Sequence, residues 1–162
     1  MRRGRFDARP DPDVRDARRR RADTLAAWRH FITGDDELAA AMLPPAILLS
    51  WRRCRDVYEL DPVYPSGRAP RQRRRVTPRY GGVYAQLGAV ASALVHDVGG
   101  CLATVADSDA QILASWCARG LDDAAGGRFE PQAQWPEPVG GTNGMGTALL
   151  YKHPIAVRGP EH

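Results

Sequence analysis

The sequence of 162 residues predicts an α+β fold: an antiparallel sheet with flanking helices, preceded by a helical lead-in. Three observations carry that expectation. Apolar residues recur at three- and four-residue spacing within residues 23–59 and again within 80–98, the mark of amphipathic helices. Two short strand-like runs, 101–107 and 111–117, flank Ser108-Asp109-Ala110, the pattern of a hairpin. Four glycines fall within residues 140–146, just ahead of an apolar helical run.

The lead-in divides into two helices. Asp23 is placed to cap the first, in which Leu25, Trp28 and Ile32 form a stripe, and Gly34 ends it. A short apolar turn then leads to Pro44-Pro45, which breaks the chain again. Pro45 suits the first position of a second helix, with Ile47, Trp51, Cys54 and Tyr58 on one stripe and Arg52, Arg53 and Arg55 largely off it. Residues 1–22 precede this as a basic arm, charged and proline-broken, expected to be disordered or a frayed helix start. The arm binds phosphate, or it stems from a start codon assigned too far upstream.

Residues 60–79 are a linker rich in proline and arginine. The remainder, 80–162, opens with a helix whose stripe is Tyr84, Leu87, Val90, Ala91, Leu94, Val95 and Val98, stopped by Gly99-Gly100. The hairpin follows, then a long loop at 118–140. A sharp turn and a helix from about 143 to 152 come next, with Thr142 or Asn143 as cap. A short strand is expected at 154–158.

Composition bounds the function. No run approaches the roughly 18 apolar residues of a membrane span, and no apolar segment follows the arginine-rich start as a secretory signal would require. Cys54, Cys101 and Cys117 are odd in number and widely spaced, which suits a reducing compartment and makes no metal motif. The expectation is a soluble cytoplasmic protein. Residues 1–83 hold 19 basic and 11 acidic side chains, whereas 84–162 hold 4 and 8. Nearly every base is arginine, which a GC-rich genome or a nucleic-acid surface would each produce.

The glycine cluster lacks the Gly-Lys-Ser/Thr of a phosphate loop and is not GxGxxG. It is a tight turn that lets a helix pack closely, or a helix start that holds an anion. His30, His96, His153 and His162 have no partner at metal-ligand spacing. Asp107 and Asp109 flank the hairpin turn, where carboxylates are usually turn formers. Trp135 lines a pocket or covers the core edge. No nucleophile elbow is present, so the chain is expected not to be an enzyme and to carry no cofactor.

Taken in order, Ile47-Leu48-Leu49-Ser50-Trp51-Arg52-Arg53-Cys54, Leu60-Asp61-Pro62, Val105-Ala106-Asp107-Ser108-Asp109-Ala110-Gln111-Ile112-Leu113, Trp135-Pro136-Glu137, Gly141-Thr142-Asn143-Gly144-Met145-Gly146-Thr147-Ala148-Leu149 and Gly159-Pro160-Glu161-His162 make a specific set. Over roughly residues 24–162 it resembles the N-terminal sensor region of bacterial transcriptional regulators of the acetoin and glycerol catabolism type. The resemblance implies a helical lead-in and a GAF domain, with a small-molecule pocket between sheet and loops. Placement on that fold nominates Val105, Trp116, Trp135, Thr142, Asn143 and Met145 as lining residues. It also implies further strands and a closing helix after His162, then an ATPase or helix-turn-helix effector. The chain therefore reads as a fragment or the remnant of a disrupted gene, with an incomplete sheet and low stability.

The function implied is sensory: a small-molecule effector binds and controls an effector domain outside the chain. Dimerisation through the lead-in helices would use the Trp28 and Trp51 stripes, although the same stripes could pack on the sensor domain. One alternative is direct nucleic-acid binding through Arg71, Arg73, Arg74 and Arg75. Another is the sensor part of a signalling enzyme. No membrane partner is expected.

Overall fold

The computed structural model describes residues 12–62, 81–117 and 129–162. They form helices and one two-stranded antiparallel sheet. The chain divides into two compact units, residues 1–49 with 157–162, and residues 50–156.

The first unit is helical. Helix α1 spans Pro12–Ile32, with Asp13 in its first turn and Arg29 and His30 in its last, charges that complement the helix dipole. It therefore takes in residues 12–22, expected to be disordered or frayed. Arginine and alanine are good helix formers, and the run at 18–21 continues without a break into a buried face. That face holds Thr24, Ala27 and Phe31. The expected stripe was offset from it: Leu25 and Ile32 are exposed. Helix α2, Asp36–Met42, replaces the expected apolar turn, because the Asp35 carboxylate accepts the Leu38 N–H at 3.2 Å and caps it. Helices α1 and α2 pack together. Their buried positions include alanines, Ala27 and Ala39, the small residues that close helix approach favours. A 3₁₀ turn at Gly159–Glu161 packs on α1.

Helix α3, Pro45–Asp56, begins on the expected proline. Ile47, Leu48, Ser50 and Trp51 are buried along it.

In the second unit, α4 (Gly81–Val98) lies against both strands of a hairpin, β1 (Leu102–Ala106) and β2 (Ile112–Cys117). Leu102 pairs with Cys117 and Val105 with Ala114, and a bulge then shifts Ala106 onto Ile112. Asp107 is a turn former as expected: its carboxylate accepts the N–H groups of Asp109 at 3.0 Å and Gln111 at 2.9 Å. Of the α4 stripe, Ala91 and Val95 are buried while Leu87, Val90, Leu94 and Val98 are exposed. Trp116 sits against Gly88, where a Cβ would meet the indole at 3.0 Å.

The strand expected at 154–158 does not form. Residues 132–135 pair beside the start of β2 instead. Ile112 N–H donates to Ala133 O at 2.8 Å, Gln132 N–H to Ile112 O at 2.7 Å and Trp135 N–H to Ala110 O at 2.9 Å. That edge is thereby filled, and Pro154 lacks the N–H a ladder needs. Two further helices close the unit, α5 (Glu137–Gly140) and α6 (Gly144–Tyr151). Residues 63–80 of the linker region and 118–128 of the long loop lie outside the described residues.

Candidate functional site: a buried carboxylate at the glycine-rich turn

The site begins with a backbone constraint. Gly146, in the first turn of α6, meets the main chain of residues 135–137 so closely that a Cβ there would lie 2.5 Å from Trp135 O and 2.6 Å from Glu137 N. Only glycine allows that approach. Asn143 then fixes the turn with its whole side chain. Its Oδ1 accepts the N–H groups of Met145 at 3.1 Å and Gly146 at 2.7 Å, capping α6. Its Nδ2 donates to Trp135 O at 3.0 Å and Gly141 O at 2.8 Å. Of the two expected caps, Asn143 takes the role and leaves Thr142 for another.

This packing delivers Glu137 into the protein interior, 2 % exposed. A buried carboxylate must be paired and hydrogen-bonded, and helix α3 supplies the partners. Arg53 Nη2 donates to both Glu137 oxygens at 3.0 Å. Ser50 Oγ donates to Glu137 Oε1 at 2.9 Å and lies 2.7 Å from Thr142 Oγ1. A hydroxyl has one proton. Ser50 gives its proton to the carboxylate, so Thr142 must donate to Ser50. The Cys54 thiol lies 3.8 Å from both Glu137 Oε1 and Thr142 Oγ1. Arg53 Nη1 donates to the Tyr151 hydroxyl at 3.0 Å, and its guanidinium stands 5.0 Å from that ring's centre. Its Nε is buried with no hydrogen-bond partner among the described residues.

Burial alone would weaken the Arg53 charge, but its hydrogen bonds to Glu137 and Tyr151 outweigh that and raise its pKa. Burial pushes the Cys54 thiol above its ordinary value, and the nearby Glu137 charge adds to this against the hydrogen bond shared with Thr142. The folded chain thus keeps the thiol proton at a pH where the unfolded chain has lost it. The resulting stability is fully present below the ordinary thiol value, about 8.5, and is lost as pH rises through the folded value. Denaturant titrations across this alkaline range should show a fall in stability that Cys54→Ala makes shallower. Equal slopes for the two proteins would remove this role.

The six residues nominated from the sequence fall in two places. Val105 and Trp116 share one face of the hairpin by register. Trp116 also lines a cleft of about 680 Å³ between α4 and β2, with Ser92, His96, Ser115 and Cys117. Trp135, Thr142, Asn143 and Met145 gather at the glycine-rich turn. There Trp135 stacks on Phe129, ring centres 4.8 Å apart, while Thr142 and Asn143 are buried. Sequence reasoning missed Glu137 and Arg53 as a pair. The available signal was polar: Ser50, Arg53 and Cys54 repeat at helical spacing beside the apolar stripe.

Arg71, Arg73, Arg74 and Arg75 lie outside the described residues. In the first unit, Arg18, Arg20, Arg21 and Arg158 line a cleft together with Asp13, Asp23 and Glu161. Its charge is mixed rather than uniformly positive. Among the described residues no cluster of metal-ligating side chains occurs, and no helix is long and apolar enough to cross a membrane.

The chain is similar to the acetoin dehydrogenase operon transcriptional activator AcoR of Bacillus subtilis (strain 168), with 29% identity over 144 residues. The similarity covers 85% of this chain and 24% of that relative, so the chain spans about a quarter of the relative's length. No family model matches the chain, and no solved structure matches it. The likeness is to a transcription regulator, and the chain is mixed helix and strand. The similarity to that activator is what supports a regulator-related role.

Proposed function

We propose that the chain is the sensor region of a bacterial transcription regulator, a helical lead-in joined to a GAF-type module that binds a small metabolite. The division into lead-in (23–59), linker (60–79) and sensor (80–162) is part of this reading. The observation that carries it is the similarity to a transcriptional activator along 85% of the chain. The buried cluster supports it, since Ser-Trp-Arg-Arg-Cys, Trp-Pro-Glu and Gly-Thr-Asn-Gly, far apart in sequence, meet at one carboxylate.

In this reading the nominated residues act in two ways. Trp116 contacts the metabolite in the α4–β2 cleft, whose size of about 680 Å³ suits a small ligand. Val105, Trp135 and Met145 contribute apolar surface. Asn143 has its polar groups committed to the turn and Thr142 its hydroxyl to Ser50 and Cys54 on α3, so they hold the shape of the turn. The effector domain, acting on DNA, belongs to sequence outside residues 1–162, and a second copy pairs through the lead-in helices.

The test is transcriptional. Deleting the codons for residues 81–162 from the gene should abolish metabolite-dependent change in its target operon, a change of about tenfold in an ordinary coupled system. Small carbonyl and hydroxy metabolites are supplied in turn, and transcripts are read by RNA sequencing. An unchanged response in the deletion strain sinks the reading. The arginine-rich alternative is separated by duplex-DNA binding of the chain itself: steep salt dependence would favour it.

A further inference from the structure

We propose that Glu137, with Ser50, Arg53 and Thr142, is a two-state latch that makes the glycine-rich turn and the C-terminal half of helix α3 open together. The segment from Trp135 to Thr147 is held as one body by main-chain packing at Gly146 and by the four hydrogen bonds of Asn143. Bending inside that body would break several of these at once. Its seam with α3 is different in kind. There Ser50, Arg53 and Cys54 all converge on one carboxylate, and Thr142 adds a hydroxyl chain through Ser50. Motion is therefore favoured at the seam.

The seam is also poised. A buried ion pair gains Coulomb energy but loses hydration, and the two nearly cancel. Arg53 Nε forgoes its hydrogen bond when the latch is closed and regains water when it opens, which narrows the margin further. Opening the seam exposes the carboxylate and raises the exposure of the guanidinium and the Cys54 thiol, both half-buried in the closed state, in the same step. Such a step costs less than global unfolding and involves both segments at once. The latch rests on the sensor reading only for the signal it would carry. The coupled opening is a property of this chain.

Cys54 provides a reporter. In a Cys101→Ser/Cys117→Ser background, thiol labelling with a disulfide reagent reads opening at the seam, and hydrogen exchange by mass spectrometry reads residues 50–56 and 142–147. In the parent protein both segments should exchange with one common denaturant dependence, and Cys54 labelling should follow it. Ser50→Ala removes one donor and leaves the ion pair. It should speed labelling and the exchange of both segments by about fivefold. The double variant Arg53→Met/Glu137→Leu replaces the pair with apolar side chains and should leave the two segments opening with different denaturant dependences. Independent opening in the parent, or a Ser50→Ala effect confined to one segment, overturns the latch. So does common opening that persists in the double variant. If the double variant does not fold, Ser50→Ala alone decides. Each of these failures leaves the transcriptional test of the sensor reading untouched, and a failed transcriptional test leaves coupled opening intact.

Discussion

Gly146→Ala is expected to destabilise the second unit by about 3 kcal/mol, the upper range for overpacking. The added methyl would lie 2.5 Å from Trp135 O and 2.6 Å from Glu137 N. Both are main-chain atoms, and neither can swing aside as a side-chain tip can. Relief requires residues 135–137 to move away from α6. That withdraws Glu137 from its partners on α3 and stretches the hydrogen bond from Asn143 to Trp135 O. Alanine gains about 1 kcal/mol of helix propensity over glycine, which is too little to reverse the sign. Gly88→Ala is the control. Its methyl meets the Trp116 indole at 3.0 Å, and the other indole contacts lie beyond 3.5 Å, so a small side-chain shift relieves it and the same propensity gain offsets the strain. Urea midpoints should therefore fall steeply for Gly146→Ala and change little for Gly88→Ala. A midpoint for Gly146→Ala equal to the parent's would show that the turn is looser than the close main-chain approach requires.

How much of this was legible in the sequence depends on the range of the interaction that decided each element. Helix α3, α4 and the hairpin were readable because local signals set them: Pro45 at a helix start, two glycines after Val98, and Asp107 folding back on its own turn. The Asp35 cap was equally local, yet α2 was missed because seven residues leave too short a period to detect. The offset of the α1 stripe has a non-local cause. Leu25 and Ile32 are larger and more apolar than Ala27, but helix–helix packing selected the face on which Ala27 lets α2 approach and Phe31 fills the space beside it. The strand expected at 154–158 failed for the same kind of reason, since residues 132–135 had taken the edge of β2.

The glycine-rich turn was recognised as a turn, and the geometry displays the tight turn rather than an anion site: Asn143 fills the helix start with its own carboxamide. Glu137 was not legible. Nothing within ten residues of it marks a buried charge, because its partners lie more than eighty positions away on α3. Only the joint occurrence of Ser-Trp-Arg-Arg-Cys and Trp-Pro-Glu in one ordered set links them, and that set does not say which side chains meet. The buried cluster supplies what that pattern leaves out, the side chains that meet.

Arg53→Met should be the most damaging change within the cluster, and its size relative to Glu137→Gln tests the account. Removing Arg53 leaves Glu137, 2 % exposed, without its counter-charge. Stranding a buried charge costs about 3–5 kcal/mol, a large part of the 5–15 kcal/mol that holds an ordinary domain together. Ser50 remains as a donor, but one neutral hydroxyl cannot replace a guanidinium bonded to both oxygens. Removing the charge of Glu137 is milder for a geometric reason. The Arg53 side chain is 26% exposed, so its head can swing toward water, and the glutamine oxygen still accepts from Ser50. About 1–3 kcal/mol is expected there, the cost of hydrogen bonds lost to a charged group. Thermal and urea unfolding of the two variants should give that order. Tyrosine at position 151 offers a check on direction: Tyr151→Phe removes the bond to Arg53 Nη1 and keeps the ring beneath the guanidinium, so it should cost least of the three. If Glu137→Gln proves worse than Arg53→Met, the carboxylate is not stranded by loss of the arginine, and the cluster owes its stability to the hydroxyl chain from Thr142 through Ser50 instead.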